Sequence, residues 1–267
     1  MKTFLKKYLP APIFKLGKFV WKIFHKDEPG VSYGHKHIKD PDREKLKEIF
    51  SNAWKDKKIP PQQLKLTLRE MPHYNDIPAV SAFINLVKET KINNPSILEI
   101  GCSTGYYSEF LEKAGINTCY EGCDYSEAFI DVARERHPHI KFKVEDSTKL
   151  GYKDNSFDIA VSGCCILHII DYEKAIAETA RVAKDFALFS RTPVIHSEKT
   201  SFFEKIGYGV PMVEIVFNEE ELVQLFHKYG LSVVAINTNH QYELPDIKEP
   251  CFIKSYLCQK ISSYDQN

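Results

Sequence analysis

Apolar and polar positions follow two different periods along the chain, and the switches between them mark its elements. Compact apolar runs at 97–100, 119–123, 139–144, 159–162, 186–190, 231–236 and 252–258 read as strands. Apolar residues at helical spacing fill the gaps: Leu46, Ile49, Phe50 and Trp54 within 41–57; Val80, Phe83, Ile84 and Val87 within 77–91; Tyr107, Phe110 and Leu111 within 106–114; Ile176, Thr179, Ala180 and Ala183 within 172–184. A short helix is expected at 62–71, behind the Pro60-Pro61 stop. Another is expected at 219–229, capped by Asn218 with Glu221 as capping-box partner and ended by Gly230. Strand and helix patterns therefore alternate from residue 97 onward, which predicts a layered α/β fold. Two stretches carry neither period. Residues 27–40, with Pro29, Gly30 and Gly34, read as a linker, and 193–217 reads as a long aromatic loop holding Phe202, Phe203, Tyr208 and Phe217.

The first strand of this series ends in a glycine turn, Glu99-Ile100-Gly101-Cys102-Ser103-Thr104-Gly105, followed at once by a helix. Glycine there lets the backbone take positive φ and approach a ligand, and the helix N-terminus offers free N–H groups. Three chemistries use such a turn. The dinucleotide fingerprint G-x-G-x-x-G is not met, because Ser103 stands where its second glycine belongs. The nucleophile elbow G-x-S-x-G is met literally by Gly101, Ser103 and Gly105. An elbow, however, follows several strands and an upstream oxyanion loop, and neither precedes residue 97. Asp171, His196 and His240 do follow the turn, so a serine hydrolase stays as a minor alternative.

The third pattern, E-x-G-x-[GS]-x-G, is met by Glu99, Gly101, Ser103 and Gly105. Asp124 ends the next strand, Asp146 follows the third, and Asp154-Asn155-Ser156-Phe157-Asp158 leads through the fourth to Gly163 and Leu167-His168. In this order the motifs resemble those of class I S-adenosylmethionine-dependent methyltransferases of the type 11-like group, best over 94–192. The resemblance implies a Rossmann-like, seven-stranded, mostly parallel sheet of order 3-2-1-4-5-7-6 with helices on both faces. It implies a domain at 76–260 with a loop insertion at 193–217, behind an N-terminal basic and helical extension at 1–75. It also implies S-adenosylmethionine as cofactor, held by Glu99, Gly101, Ser103, Gly105, Asp124, Tyr125, Asp146 with its neighbour Ser147, and Gly163. Asp124 would accept the ribose hydroxyls and Asp146 the adenine amine. Helices before the first strand often cover the donor site in this family, which makes His73 and Tyr74 candidate neighbours of the cofactor.

The chemistry of methyl transfer asks little beyond orientation of a nucleophile and handling of one proton. The acceptor is expected to be a small molecule, glycan or lipid, with O-methyl transfer by in-line displacement, in a pocket between the N-terminal helices and 193–217 whose apolar walls would be Phe202, Phe203 and Tyr208. His168 and His196, just past the fourth and fifth strands, are the candidate bases, each weighed against a purely structural histidine. Arg191 could pair with an acidic acceptor or with Glu99. A donor-binding scaffold without turnover is the other class that the sequence leaves open.

Composition changes the picture at three points. The formal net charge is zero, which gives no reason to expect nucleic acid as a partner. Seven cysteines without a C-x-x-C pair read as free thiols in a reducing cytoplasm, and no acid or histidine cluster has metal-ligand spacing. Residues 1–26 carry seven lysines and no acid. Leu16, Phe19, Val20, Ile23 and Phe24 form one stripe there and Lys15, Lys18, Lys22 and Lys26 the opposite face. That pattern suits peripheral membrane contact through 13–26, or equally a helix packed on its own domain.

Overall fold

The computed structural model describes residues 32–261, so the amphipathic stretch 13–26 lies outside the described residues. In chain order the elements are β1 (Ser32–Ile38), α1 (Arg43–Phe50), α2 (Ile59–Glu70), α3 (Pro78–Glu89), β2 (Ser96–Ile100), α4 (Tyr106–Lys113), β3 (Cys119–Asp124), α5 (Glu127–Arg136), β4 (Lys141–Val144), β5 (Phe157–Gly163), α6 (Tyr172–Val182), β6 (Ala183–Ile195), β7 (Ser201–Gly207), β8 (Val210–Asn218), α7 (Glu219–Lys228), β9 (Leu231–Tyr242) and β10 (Cys251–Lys260). Short 3₁₀ turns lie at Ala53–Lys55, Met71–Asp76 and Ile166–His168.

The main sheet runs β4–β3–β2–β5–β6–β10–β9. The first five strands are parallel, and β10 is antiparallel to both neighbours. Its central strands are apolar on both sides, as a parallel sheet covered by helices requires. Leu98, Ile100 and Ala160 pack with Ile176 and Ala180 of α6 and Phe226 of α7. Ile97, Ile159, Val161 and Leu188 point the other way, onto Phe83, Leu86 and Val87 of α3 and Phe110 and Leu111 of α4. The fold class expected from the sequence, a Rossmann-like α/β sheet with helices on both faces, is the one observed. Pro60 and Pro61 do separate two helices, and they do so as the first-turn residues of α2. Among the described residues no helix is long and apolar enough to cross a membrane.

Two expectations need correction. Residues 193–217 are not a loop. β6 runs on to Ile195, and β7 and β8 then form an antiparallel hairpin that joins its end. The hairpin turns on Tyr208 and Gly209, both at positive φ (53° and 77°), which is the backbone of a type I′ turn. Phe202 and Phe203 are buried in its packing, at 5% and 0% exposure, so they are core and not walls of a ligand pocket. The strand period was hidden because Lys205 and Glu214 sit inside, where the alternation called for apolar residues. Nor is 27–40 simply a linker: β1 occupies Ser32–Ile38 and pairs antiparallel with β7. Asn218 caps α7 as expected, its Oδ1 accepting from Glu221 N at 3.0 Å. The capping box does not close, because the Glu221 carboxylate instead takes Thr200 N and Oγ1.

Candidate active site

The glycine turn hangs from the end of β3. Gly101 N and Cys102 N both donate to the Cys123 carbonyl, at 2.8 and 2.9 Å. Gly101, Ser103 and Gly105 have φ of 73°, 54° and 77°. At Gly101 a Cβ would sit 2.5 Å from Cys165 Sγ, so both the φ and the space there demand glycine. Ser103 tolerates the left-handed conformation because its groups are tied down: its N–H donates to Asp124 Oδ2 at 3.0 Å and its hydroxyl to Gln63 Oε1. That bond, with no histidine against Ser103 among the described residues, leaves the serine without the base a hydrolase elbow needs.

Asp124 ties the site together. Ser126 N donates to its other oxygen at 2.9 Å. The side chain is buried, the residue being 8% exposed, and it has no cationic partner among the described residues. Burial raises its carboxyl to about 6, against the pull of the Ser126, Ser103 and Tyr125 N–H groups. Glu99 is buried deeper beneath the turn and accepts the Tyr120 hydroxyl. Desolvation pushes its carboxyl well above the usual range. Gly163 makes room for it: a Cβ there would lie 2.8 Å from Glu99 Oε1.

The N-terminal helices close over this edge of the sheet. Trp54 N donates to the Tyr125 hydroxyl at 3.1 Å, and Lys55 Nζ lies 5.0 Å from the centre of the Tyr125 ring. The Trp54 ring stands 4.8 Å from His168 and 5.9 Å from Tyr208 at the hairpin tip. Gln62 Nε2 donates to the Tyr208 carbonyl at 3.2 Å. Trp54, Gln63 and Tyr208 thus belong to the site. The sequence points to Tyr208 near this edge, shows Trp54 only as an apolar helix position, and carries no signal for Gln63.

The remaining candidates separate. Asp146 is exposed and bonds its own turn through Thr148 N and Oγ1, at 2.8 and 2.7 Å. Ser147 is half-buried beside it. His168 is at the site, with Nδ1 bonded to the Val213 carbonyl at 2.7 Å. Burial, helped by the charge of Lys205, lowers it to about 3, so the ring is neutral. His196 is drawn elsewhere: its Nε2 lies 2.8 Å from Glu219 and its Nδ1 3.6 Å from Glu249, on an exposed corner beyond β6. Tyr74 bonds the Lys113 carbonyl at the far end of α4, away from the glycine turn, and His73 is exposed. Among the described residues no group of three histidine, cysteine or acidic side chains is placed to hold a metal ion.

The family model described as "Methyltransferase domain" matches residues 98–189, the stretch that carries the turn, Asp124, Asp146, Gly163 and His168. Over this stretch the chain carries a methyltransferase domain, consistent with the class I S-adenosylmethionine-dependent family. A demethylmenaquinone methyltransferase of Paenarthrobacter aurescens is 33% identical over 122 residues, covering 44% of this chain and 47% of that protein. A phthiotriol/phenolphthiotriol dimycocerosates methyltransferase of Mycobacterium tuberculosis is 27% identical over 150 residues, covering 53% and 52%. The chain spans about half the length of these curated relatives. Among solved structures, the 1,6-didemethyltoxoflavin-N1-methyltransferase of Burkholderia thailandensis, with bound substrate and S-adenosylhomocysteine, superposes with a TM-score of 0.52 at 15% identity, over 77% of this chain and 88% of that one.

The methyl donor of this family is S-adenosylmethionine, and the residues at this site fit it. The Asp124 carboxylate is buried without a countercharge, and each oxygen retains a lone pair for a ribose hydroxyl. The hydroxyls of Thr104 and Ser126, on either side of it, are buried without a hydrogen-bond partner among the described residues. This arrangement gives donor binding a pH dependence. Ribose hydroxyls would bond the ionised carboxylate, while the free protein holds a proton on Asp124 up to pH about 6. In the unfolded chain that proton is lost near pH 3.9, so ionising Asp124 lowers stability as pH rises between the two values. Donor affinity therefore increases as pH rises through 6, by about tenfold from pH 5 to pH 7, and then levels. Calorimetric titration with S-adenosylhomocysteine across that range checks it. A flat profile contradicts the role given to Asp124.

Proposed function

We propose that the protein transfers a methyl group from S-adenosylmethionine to a small-molecule or lipid acceptor. The observation that carries this reading is the buried, uncompensated Asp124 carboxylate that bridges the glycine turn to the end of β3. When bound, the donor supplies a methyl group already activated on a sulfonium. Asp124 then fixes the ribose, and the turn brings backbone N–H groups against the donor. Trp54 and Gln63 keep water away from the edge they cover. The relatives named above for quinone and lipid acceptors support an apolar acceptor, as does the partly buried Trp54 ring beside His168 and Tyr208.

Oxygen is the acceptor atom we propose. The neutral His168 ring, with Nδ1 engaged by Val213, has Nε2 left as a hydrogen-bond acceptor. So weak a base orients an acceptor hydroxyl and takes its proton only as the bond to carbon forms.

The test is turnover by the full chain with methyl-labelled S-adenosylmethionine and matched sets of hydroxylated small molecules, reduced quinones and lipid alcohols. Acceptor-dependent S-adenosylhomocysteine formation is expected, with Trp54→Ala raising the acceptor KM about tenfold and leaving donor affinity within about twofold, the effect of one lost apolar anchor. Donor binding without turnover on any acceptor would mean a scaffold.

A further inference from the structure

One charged side chain at this edge is not used by the donor. β6 bulges where it passes β5: Thr192 pairs with Lys254 and Phe189 with Tyr256, so Ser190 and Arg191 together oppose Ser255. Arg191 N donates to Ser255 Oγ at 3.2 Å, and its φ is 58°, a left-handed backbone on a residue with a long side chain. Bulges beside active sites re-aim a side chain out of the strand's alternation. The bulge sets Arg191 next to the β5 end, where Cys164 N donates to the Ser190 carbonyl at 2.9 Å, and within electrostatic reach of Tyr107, Tyr106, Tyr208 and His240. Burial raises the three phenols above their usual range, so they supply no negative charge at pH 7. Glu99, the acid that the sequence offered as a partner, is turned to Tyr120 instead. Among the described residues Arg191 has no carboxylate partner.

A half-buried guanidinium without a carboxylate partner is open to a ligand that brings the anion, and its fork matches a carboxylate. Its position indicates which ligand. Arg191 lies on β6, three strands from the Asp124 strand in the order β3–β2–β5–β6, roughly 14 Å along the edge at ~4.8 Å per strand. A donor whose ribose rests on Asp124 spends its short methionine tail over β2 and β5. Arg191 stands beyond, beside the hairpin tip. We propose that Arg191 binds a carboxylate or related oxyanion of the methyl acceptor, flanked by the Tyr106 and Tyr208 phenols, so that the acceptor is an organic acid. This rests on the methyltransferase reading and narrows its substrate class.

The probe is acetate, exchanged for chloride at equal ionic strength, with melting temperature as the readout. It is applied to the free protein and to the complexes with S-adenosylhomocysteine and with 5′-methylthioadenosine, which lacks the methionine carboxylate. With S-adenosylhomocysteine bound, acetate should raise the melting temperature by about 2 °C. Arg191→Met should abolish that rise while leaving S-adenosylhomocysteine binding intact, and Arg191→Lys should keep part of it. Arg191→Met should also melt no lower than the parent in chloride, because it removes a half-buried charge that has no carboxylate partner. Equal acetate responses in parent and Met variant overturn the proposal, as does the lack of any response in the parent. An acetate response seen with 5′-methylthioadenosine but lost with S-adenosylhomocysteine also overturns it, because the donor's own carboxylate then occupies Arg191. Failure of S-adenosylhomocysteine to stabilise the protein is a different result. It removes the methyltransferase reading, and the free-protein arm still decides whether Arg191 binds an anion.

Discussion

Asp124→Ala is expected to weaken S-adenosylhomocysteine binding at least about 100-fold. Two charge-assisted bonds to the ribose would be lost, each worth about 1.5–3 kcal/mol, so the loss is about 3 kcal/mol or more. The variant also removes the acceptor of Ser103 N and Ser126 N, which sit at 3.0 and 2.9 Å from the carboxylate. The glycine turn would then lose one of its ties to the end of β3, and its left-handed Ser103 would keep only the Gln63 bond. Asp124→Asn separates the two effects. It keeps one acceptor oxygen and the side-chain volume, loses the charge, and should fall between parent and alanine variant without the pH dependence near 6. Calorimetry gives the affinities, and circular dichroism confirms the fold. A folded Asp124→Ala with parental affinity would show that the ribose lies elsewhere.

The second large effect is on stability. Lys205 and Glu214 form an ion pair across the β7–β8 hairpin, at 6% and 4% exposure. Tyr242 adds a hydrogen bond to Glu214 Oε1 at 2.6 Å, and His35 Nε2 lies 3.5 Å from Oε2. Burial alone would raise the Glu214 carboxyl, yet Lys205, His35 and Tyr242 together hold it well below the usual range. Lys205→Met strands this carboxylate in the core and should cost about 3–5 kcal/mol in urea denaturation. The double variant Lys205→Met/Glu214→Leu should recover most of that, since an apolar pair of similar volume replaces both charges. The sign with pH follows from the depressed carboxyl. Its contribution is complete above the unfolded value of about 4.3 and is lost as pH falls through the native one. The parent's advantage over Lys205→Met should therefore shrink below pH about 4. A loss under 1 kcal/mol at pH 7 would place the pair in the range of solvent-screened bridges and contradict its buried role.

What the sequence made legible follows from local constraint. Gly101 and Gly105 stood out because positive φ leaves few alternatives, and Asp124 because a strand of predictable length ends there. The long apolar strands named their own faces. Gln63 was invisible because its meaning depends on a contact with Ser103, 40 residues away, made only after α2 has folded across the sheet edge. Trp54 read correctly as apolar, but its backbone bond to Tyr125 has no sequence signature. The hairpin was missed because Lys205 and Glu214 neutralise each other inside it, a pairing that a periodicity count scores as two solvent positions. His196 sits in the sequence where a base could stand, yet Glu219 and Glu249 hold it on an exposed corner.

The chain is expected to bind S-adenosylmethionine at the glycine turn. Isothermal titration of the donor into the full-length protein at pH 7.5 tests it most directly. The account predicts saturable one-site binding that Asp124→Ala removes. Absence of binding heat, with no stabilisation of the protein by the donor in a parallel melting experiment, would contradict it.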